Sequence, residues 1–260
     1  MISRPLQILS FLLLLTPSCS VKEVRSGCPC LLEVDLSTAD KGKGDINIST
    51  DGSNEISLDS QSAQYTTEVQ KSVHLVTCIQ GFKSSIRNGL YIGIMEGDEA
   101  DSLMVSSQYV DCTGETAFTR AVFHKWWSKL TIHCSNPGKD EYPYEMVVTG
   151  ETAGVSLKDR STLTGKFRYV CKSTVSDRNV FTAVLPRQDS LEPNLKLLLM
   201  PKDGKSVEKE YDLYEIFRKK GYDWNADDLD DISIGINYSG DLTYLSIIDW
   251  ENGMETSVII

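Results

Sequence analysis

Apolar residues in this chain come in short runs, rich in β-branched and aromatic side chains and fenced by Gly, Pro, Asn and Asp. That pattern limits the fold more than any other feature, because it suits many short strands with one buried face and leaves little room for long helices. Leu31 to Leu36, Val73 to Ile79, Leu103 to Val105, Tyr109 to Cys112, Lys129 to Cys134 and Tyr144 to Thr149 all read as strands. So do Lys166 to Cys171, Val180 to Leu185, Leu195 to Met200, Ile232 to Tyr238 and Leu242 to Trp250. Tight turns are expected at Asn88-Gly89, before Leu90 to Met95, and at Asn252-Gly253, before Glu255 to Ile260. Residues 38–70 are polar and read as loops or exposed edge strands. Glu208 to Lys220 sets Tyr211, Leu213, Tyr214 and Phe217 at helical spacing and stops at Gly221, so it reads as a helix. Phe118 to Ser128 reads as a second, shorter one. The expected class is an all-β dominated, two-sheet β-sandwich with one or two short helices, stapled by disulfides.

The staples follow from the compartment. Arg4, an apolar run from Leu6 to Leu15 and the small residues Ser18 and Ser20 make residues 1–20 a signal peptide cut before Val21. Thr16-Pro17-Ser18 precedes Cys19 where a lipoprotein box would place residues of the Leu-Ala-Gly type, so Cys19 is expected to leave with the signal. Residues 21–260 then form a single exported β-sandwich domain carrying Cys28, Cys30, Cys78, Cys112, Cys134 and Cys171. An even count in an oxidising compartment implies three bridges. Cys28 and Cys30 flank Pro29 and are poorly placed to bond each other. The fifteen pairings that six cysteines allow therefore lose the three that join these two. Asn47-Ile48-Ser49 and Asn237-Tyr238-Ser239 are N-glycosylation sequons at Asn47 and Asn237. A net charge of −11 disfavours nucleic acid and anionic membranes and favours basic partners.

Catalytic and metal chemistry find little support. Only three histidines exist, His74, His124 and His133, and no serine sits in a Gly-x-Ser-x-Gly elbow. No Cys-x-x-Cys or His-x-x-x-His spacing suggests zinc, so no catalytic residue, metal or cofactor is expected. Oxygen donors at Asp223, Asn225 and Asp227 copy the start of an EF-hand loop, but Asp228 stands where that loop needs glycine and Ile234 where it needs glutamate. The segment reads as a solvated acidic loop whose Asp223, Asp227, Asp228, Asp230 and Asp231 could contact a basic ligand. Trp126 and Trp127 are the aromatic pair most suited to a protein interface, although adjacent residues diverge and at least one should be core. A secreted hydrolase remains a remote rival, which two carboxylates converging in one cleft would support.

The order Ala117 to Arg120, Lys129 to Cys134, Ser161 to Gly165 and on to Cys171 resembles the poxvirus immune-evasion β-sandwich family of secreted cytokine- and chemokine-binding proteins. The likeness covers roughly residues 70–185. It implies a secreted, non-enzymatic viral decoy that sequesters a host cytokine of the granulocyte-macrophage colony-stimulating factor or interleukin-2 type. A chemokine binder of the same family is the alternative, and a homodimer is left open. Six mature cysteines and a merely polar segment at 38–70 favour the cytokine inhibitor over the chemokine binders, whose pattern has eight cysteines and a long acidic loop.

Overall fold

The computed structural model describes residues 27–137, 141–174, 177–188 and 194–259. The expected signal peptide, 1–20, and its cut before Val21 lie outside them. The strand reading holds throughout: the described residues are dominated by β-strands packed in layers, with one short helix among them.

In the first sheet pair, β1 (Cys30–Asp35) lies between β4 (Gln64–Val69), antiparallel to it, and β9 (Thr116–Arg120), parallel to it. The facing sheet runs β10 (His124–Lys125), β8 (Met104–Asp111), β5 (Val73–Gln80), β2 (Ile46–Thr50) and β3 (Ser53–Leu58). Alternation does the sorting: Cys30, Leu32 and Val34 of β1 turn inward against Ile46, Ile48, Val76, Cys78, Val110 and Cys112. The polar stretch 38–70 supplies the edge strands, and β3 leaves almost every residue to solvent.

The second pair is larger. One sheet runs β14 (Lys172–Ser173), β15 (Val180–Pro186), β11 (Trp127–Cys134), β18 (Asp231–Ile236), β19 (Leu242–Ile248) and β20 (Glu255–Ile259), and its β11–β18 ladder is parallel. The other is organised by β12 (Tyr144–Ser156). One edge of β12 pairs with β13 (Thr162–Val170), and its length lets it also carry β16 (Lys196–Pro201) with β17 (Lys209–Asp212), and β7 (Tyr91–Gly93) with β6 (Ile86–Asn88). Leu130, Ile132, Met146, Val148, Phe167, Ala183, Leu197, Leu199, Ile232 and Ile234 fill the space between the sheets and are almost wholly buried. Gly235 is required here, because a β-carbon would meet the Tyr244 ring at 2.2 Å. A third cluster, Ile79, Ile92, Leu103, Val105, Trp126, Val155 and Leu157, joins the two pairs.

The helix α1 spans Leu213–Lys219, shorter than its periodicity suggests. Lys209 to Asp212 instead pair with Lys196 to Leu199, since the edge of β16 offers ladder bonds that a solvent-facing helical turn would forgo. Asp212 then caps the helix by accepting from the Glu215 N–H at 2.9 Å, and Gly221 ends it at φ +86°. The shorter helix expected over 118–128 is absent: that segment forms β9, β10 and the start of β11.

The structure joins none of the six cysteines in a disulfide, although the Cys30 and Cys112 side chains are in contact. Cys28 is exposed, Cys30, Cys78 and Cys112 lie in the first core, and Cys134 and Cys171 lie in the second. Burial pushes the Cys78, Cys134 and Cys171 thiols up to about 12. Ladder bonds on both edges of β1 do the anchoring expected of sulfur.

Candidate ligand-binding site

The segment of the tryptophan pair and the aspartate loop, far apart in sequence, are brought together; both indoles are buried, Asp228, Asp230 and Asp231 are half-buried, and Asp223 and Asp227 stay exposed. Trp126 and Trp127 are 5% and 7% exposed. Trp126 lines an internal cavity of about 30 Å³, and Trp127 meets Trp250 edge-on with centroids 6.4 Å apart. Between them Lys125 is wholly buried. Its Nζ donates to Asp231 Oδ1 at 2.5 Å and to the Leu229 carbonyl at 2.8 Å, and lies 4.5 Å and 4.3 Å from the Trp127 and Trp250 ring centroids.

The other aspartates are committed as well. Asp228 accepts from the Lys125 backbone N–H at 2.6 Å and approaches His124 at 3.2 Å. Asp230 accepts from the Trp250 N–H, while its carbonyl takes the Ser128 and Tyr222 hydroxyls. Asp231 also accepts from the Lys129 N–H at 2.8 Å. Asp227 pairs with Arg160 at the surface, and Asp223 accepts from the Asn225 N–H in a local turn. The second half of the loop, Asp228 to Asp231, is therefore a clamp across the corner between β10 and β11, while Asp223 and Asp227 remain solvated as read from the sequence. Asp228, Asp230 and Asp231 each accept from at least one backbone N–H, and Asp231 from the lysine as well. Aspartates outnumber nearby cations in sequence, but backbone N–H groups are equally good partners, and only the fold delivers them.

The open, polar site lies at the mouth of the first sheet pair, between the β2–β3 turn and β4. It encloses about 310 Å³ and is lined by Thr50, Asp51, Ser53, Asn54, Tyr65, Thr67, Glu68, Val69, Gln70 and His74. Asp51 and Asn54 both hold positive φ, 54° and 51°, a conformation that non-glycine residues adopt at some cost. Asp51 is locked there by donating its N–H to the Leu75 carbonyl, while the Leu75 N–H donates to Asp51 Oδ1 at 2.8 Å. Among the described residues, no hydrogen bond ties up the side chains of Asn54, Thr67 or Glu68.

His74 and Asp51 of the lining, with the exposed Ser72 beside them, stand in an arrangement like that of a base, an acid and a nucleophile. His74 Nε2 is 2.9 Å from Ser72 Oγ, and Nδ1 is 2.6 Å from Asp51 Oδ2. The same Nε2, however, lies 2.7 Å from the Gln70 carbonyl, which can only accept. Nε2 must therefore carry its hydrogen, and it has no lone pair for a serine proton. Burial opposes the charged ring, yet the bonds to Asp51 and Gln70 outweigh it and raise the His74 pKa above 6.5. His74 is an imidazolium strut under the pocket and supplies no base in this geometry.

Sequence reasoning missed Lys125 and the whole mouth site. A lysine between two aromatic positions was a usable signal for the first; nothing local marks the second, since its residues come from four strands and the turns beside them. The sequons fall in occupied places. Asn47 sits half-buried within β2, with Ser49 bonded to Thr77 and Arg87, and Asn237 exchanges side-chain and backbone bonds with Asp241. Among the described residues no helix is long and apolar enough to cross a membrane, and no group of three or more His, Cys, Asp or Glu could hold a metal ion.

No family model matches this chain, and no curated protein does. Solved structures do. The fimbrial anchor protein Mfa2 from Porphyromonas gingivalis superposes with TM-score 0.60 at 11% identity, covering 88% of this chain and 99% of that one. A provisionally assigned polysaccharide-binding protein from Bacteroides thetaiotaomicron gives TM-score 0.64 at 11% identity, with coverage of 88% and 98%. A provisionally assigned adhesin from Bacteroides ovatus gives 0.56 at 10%, with coverage of 92% and 97%. This likeness is one of fold, and it overturns the resemblance to poxvirus immune-evasion proteins together with the viral decoy function and the cytokine or chemokine partners it implied. That resemblance rested on cysteine and strand order over residues 70–185, which any antiparallel sandwich of similar spacing reproduces. The bacterial structures share the architecture along nearly their whole length.

Proposed function

We propose that this chain is a non-enzymatic binding protein of the bacterial cell surface, of the adhesin kind, and that the mouth pocket holds a hydroxyl-rich ligand such as a saccharide. The observation that carries the reading is the architecture shared end to end with a fimbrial anchor and with proteins assigned to adhesion and polysaccharide binding. The pocket supports the ligand class. Saccharides are recognised by polar side chains beside an aromatic ring, and the site is lined by Asn54, Thr67, Glu68 and Gln70 together with Tyr65. His74, with both ring nitrogens engaged as donors, gives the pocket support without a general base.

The test is a glycan array probed with the purified mature chain, followed by biosensor titration of the best saccharide against wild type and the Glu68→Gln, Gln70→Ala double variant. Specific binding weakened tenfold or more in the variant is the expected result. Binding unaffected by the variant, no binding across the array, or turnover of a bound saccharide would each overturn the reading.

A further inference from the structure

Lys125 is the one wholly buried lysine among the described residues, and its surroundings are those of a reactant as much as of an ion. The two indole faces exclude water from Nζ, and the carboxyl group of Asp231 stands 2.5 Å away. That carboxyl group is polarised by a second donor, the Lys129 N–H, on the same Oδ1. Burial pulls the lysine pKa down, Asp231 and Asp230 pull it up, Lys43 pulls it down, and the net direction is downward. Proton transfer from ammonium to carboxylate within the pair is thereby eased, leaving a neutral amine against a protonated acid.

We propose that Lys125 Nζ and Asp231 Cγ become joined in an intramolecular amide, a covalent cross-link between the end of β10 and the first residue of β18. The balance is closed: the ammonium and the carboxylate yield one amide and one water, the Nζ–Cγ bond forms, the Cγ–Oδ bond breaks, and the released oxygen leaves with two of the three amine hydrogens. No oxidant or cofactor enters. The geometry favours the step because the fold holds the fully buried amine 2.5 Å from the carboxyl group it attacks. The bond would span 106 positions of the chain. It would close across the corner where the two sheet pairs meet.

Mass spectrometry decides it. The purified chain, reduced and alkylated so that cysteine oxidation does not contribute, should be lighter than its sequence by one water. Digestion should yield a single peptide joining the segment around Lys125 to the segment around Asp231, with no tryptic cleavage after Lys125. The joined peptide matters, because a succinimide at Asp51-Gly52 or Asp203-Gly204 would also shed water without linking segments. Lys125→Arg and Asp231→Ala should each restore the full mass. Wild-type protein at full sequence mass, cut normally after Lys125, would overturn the proposal even if neither variant folds.

Discussion

Carboxylates and aromatic rings gather in two places in this molecule, with opposite outcomes. At the corner between the sheet pairs, Asp228, Asp230 and Asp231 are consumed by Lys125, by backbone N–H groups and by the packing of Trp127 against Trp250. At the mouth of the first pair, one carboxylate, Asp51, is spent on His74, and the side chains of Asn54, Thr67 and Glu68 are left for a ligand. The residue types are alike. What separates glue from receptor is whether the fold brings donors to the carboxylates, and how far it removes them from water.

The comparison breaks most visibly at the corner. Asp231→Ala strands a buried ammonium, so a loss of about 3–5 kcal/mol is expected in denaturant unfolding. A variant as stable as wild type would mean that the corner is not glue. Removing the neighbouring ring should be of similar size: Trp126→Ala empties the cluster joining the two sheet pairs, at about 3–5 kcal/mol. If the pairs behave as one unit, both melt together in that variant, and two separate transitions would instead divide the chain into independently folding halves.

The mouth should respond more gently. His74 has its folded pKa raised, so its contribution is fully present below its ordinary value of 6.5 and is lost as pH climbs through the higher folded value. Stability followed by thermal melting across this window should therefore decline on the alkaline side, and the decline should vanish in His74→Gln. A dependence of opposite sign would show that the ring is neutral in the folded protein. Smallest of all, Glu68→Gln with Gln70→Ala should shift stability by no more than about 0.5 kcal/mol while weakening saccharide binding. A large stability loss there would mean that the pocket is a structural element like the corner.

The sequence by itself determined the class of fold, because period-two alternation in runs such as Cys30 to Val34 can bury a face only as a strand. It also marked the helix stop at Gly221, where the positive φ is local chemistry. It marked both tryptophans and the aspartate loop, with at least one indole expected in the core, but not the pairing of Asp228 and Asp231 with residues 124–129. Helical spacing over 208–212 and 118–128 yielded to strand pairing, because edge ladders supplied by distant strands outweigh weak local preference. The cytokine-decoy resemblance failed for a related reason: cysteine and strand order describe a chain, not how its sheets stack. Only the tertiary structure decided that Lys125 meets Asp231 across 106 positions, and that Asp51 meets His74 at the foot of an open pocket. Partner choice for a charged side chain depends on distance and dielectric, and neither is written in the order of residues.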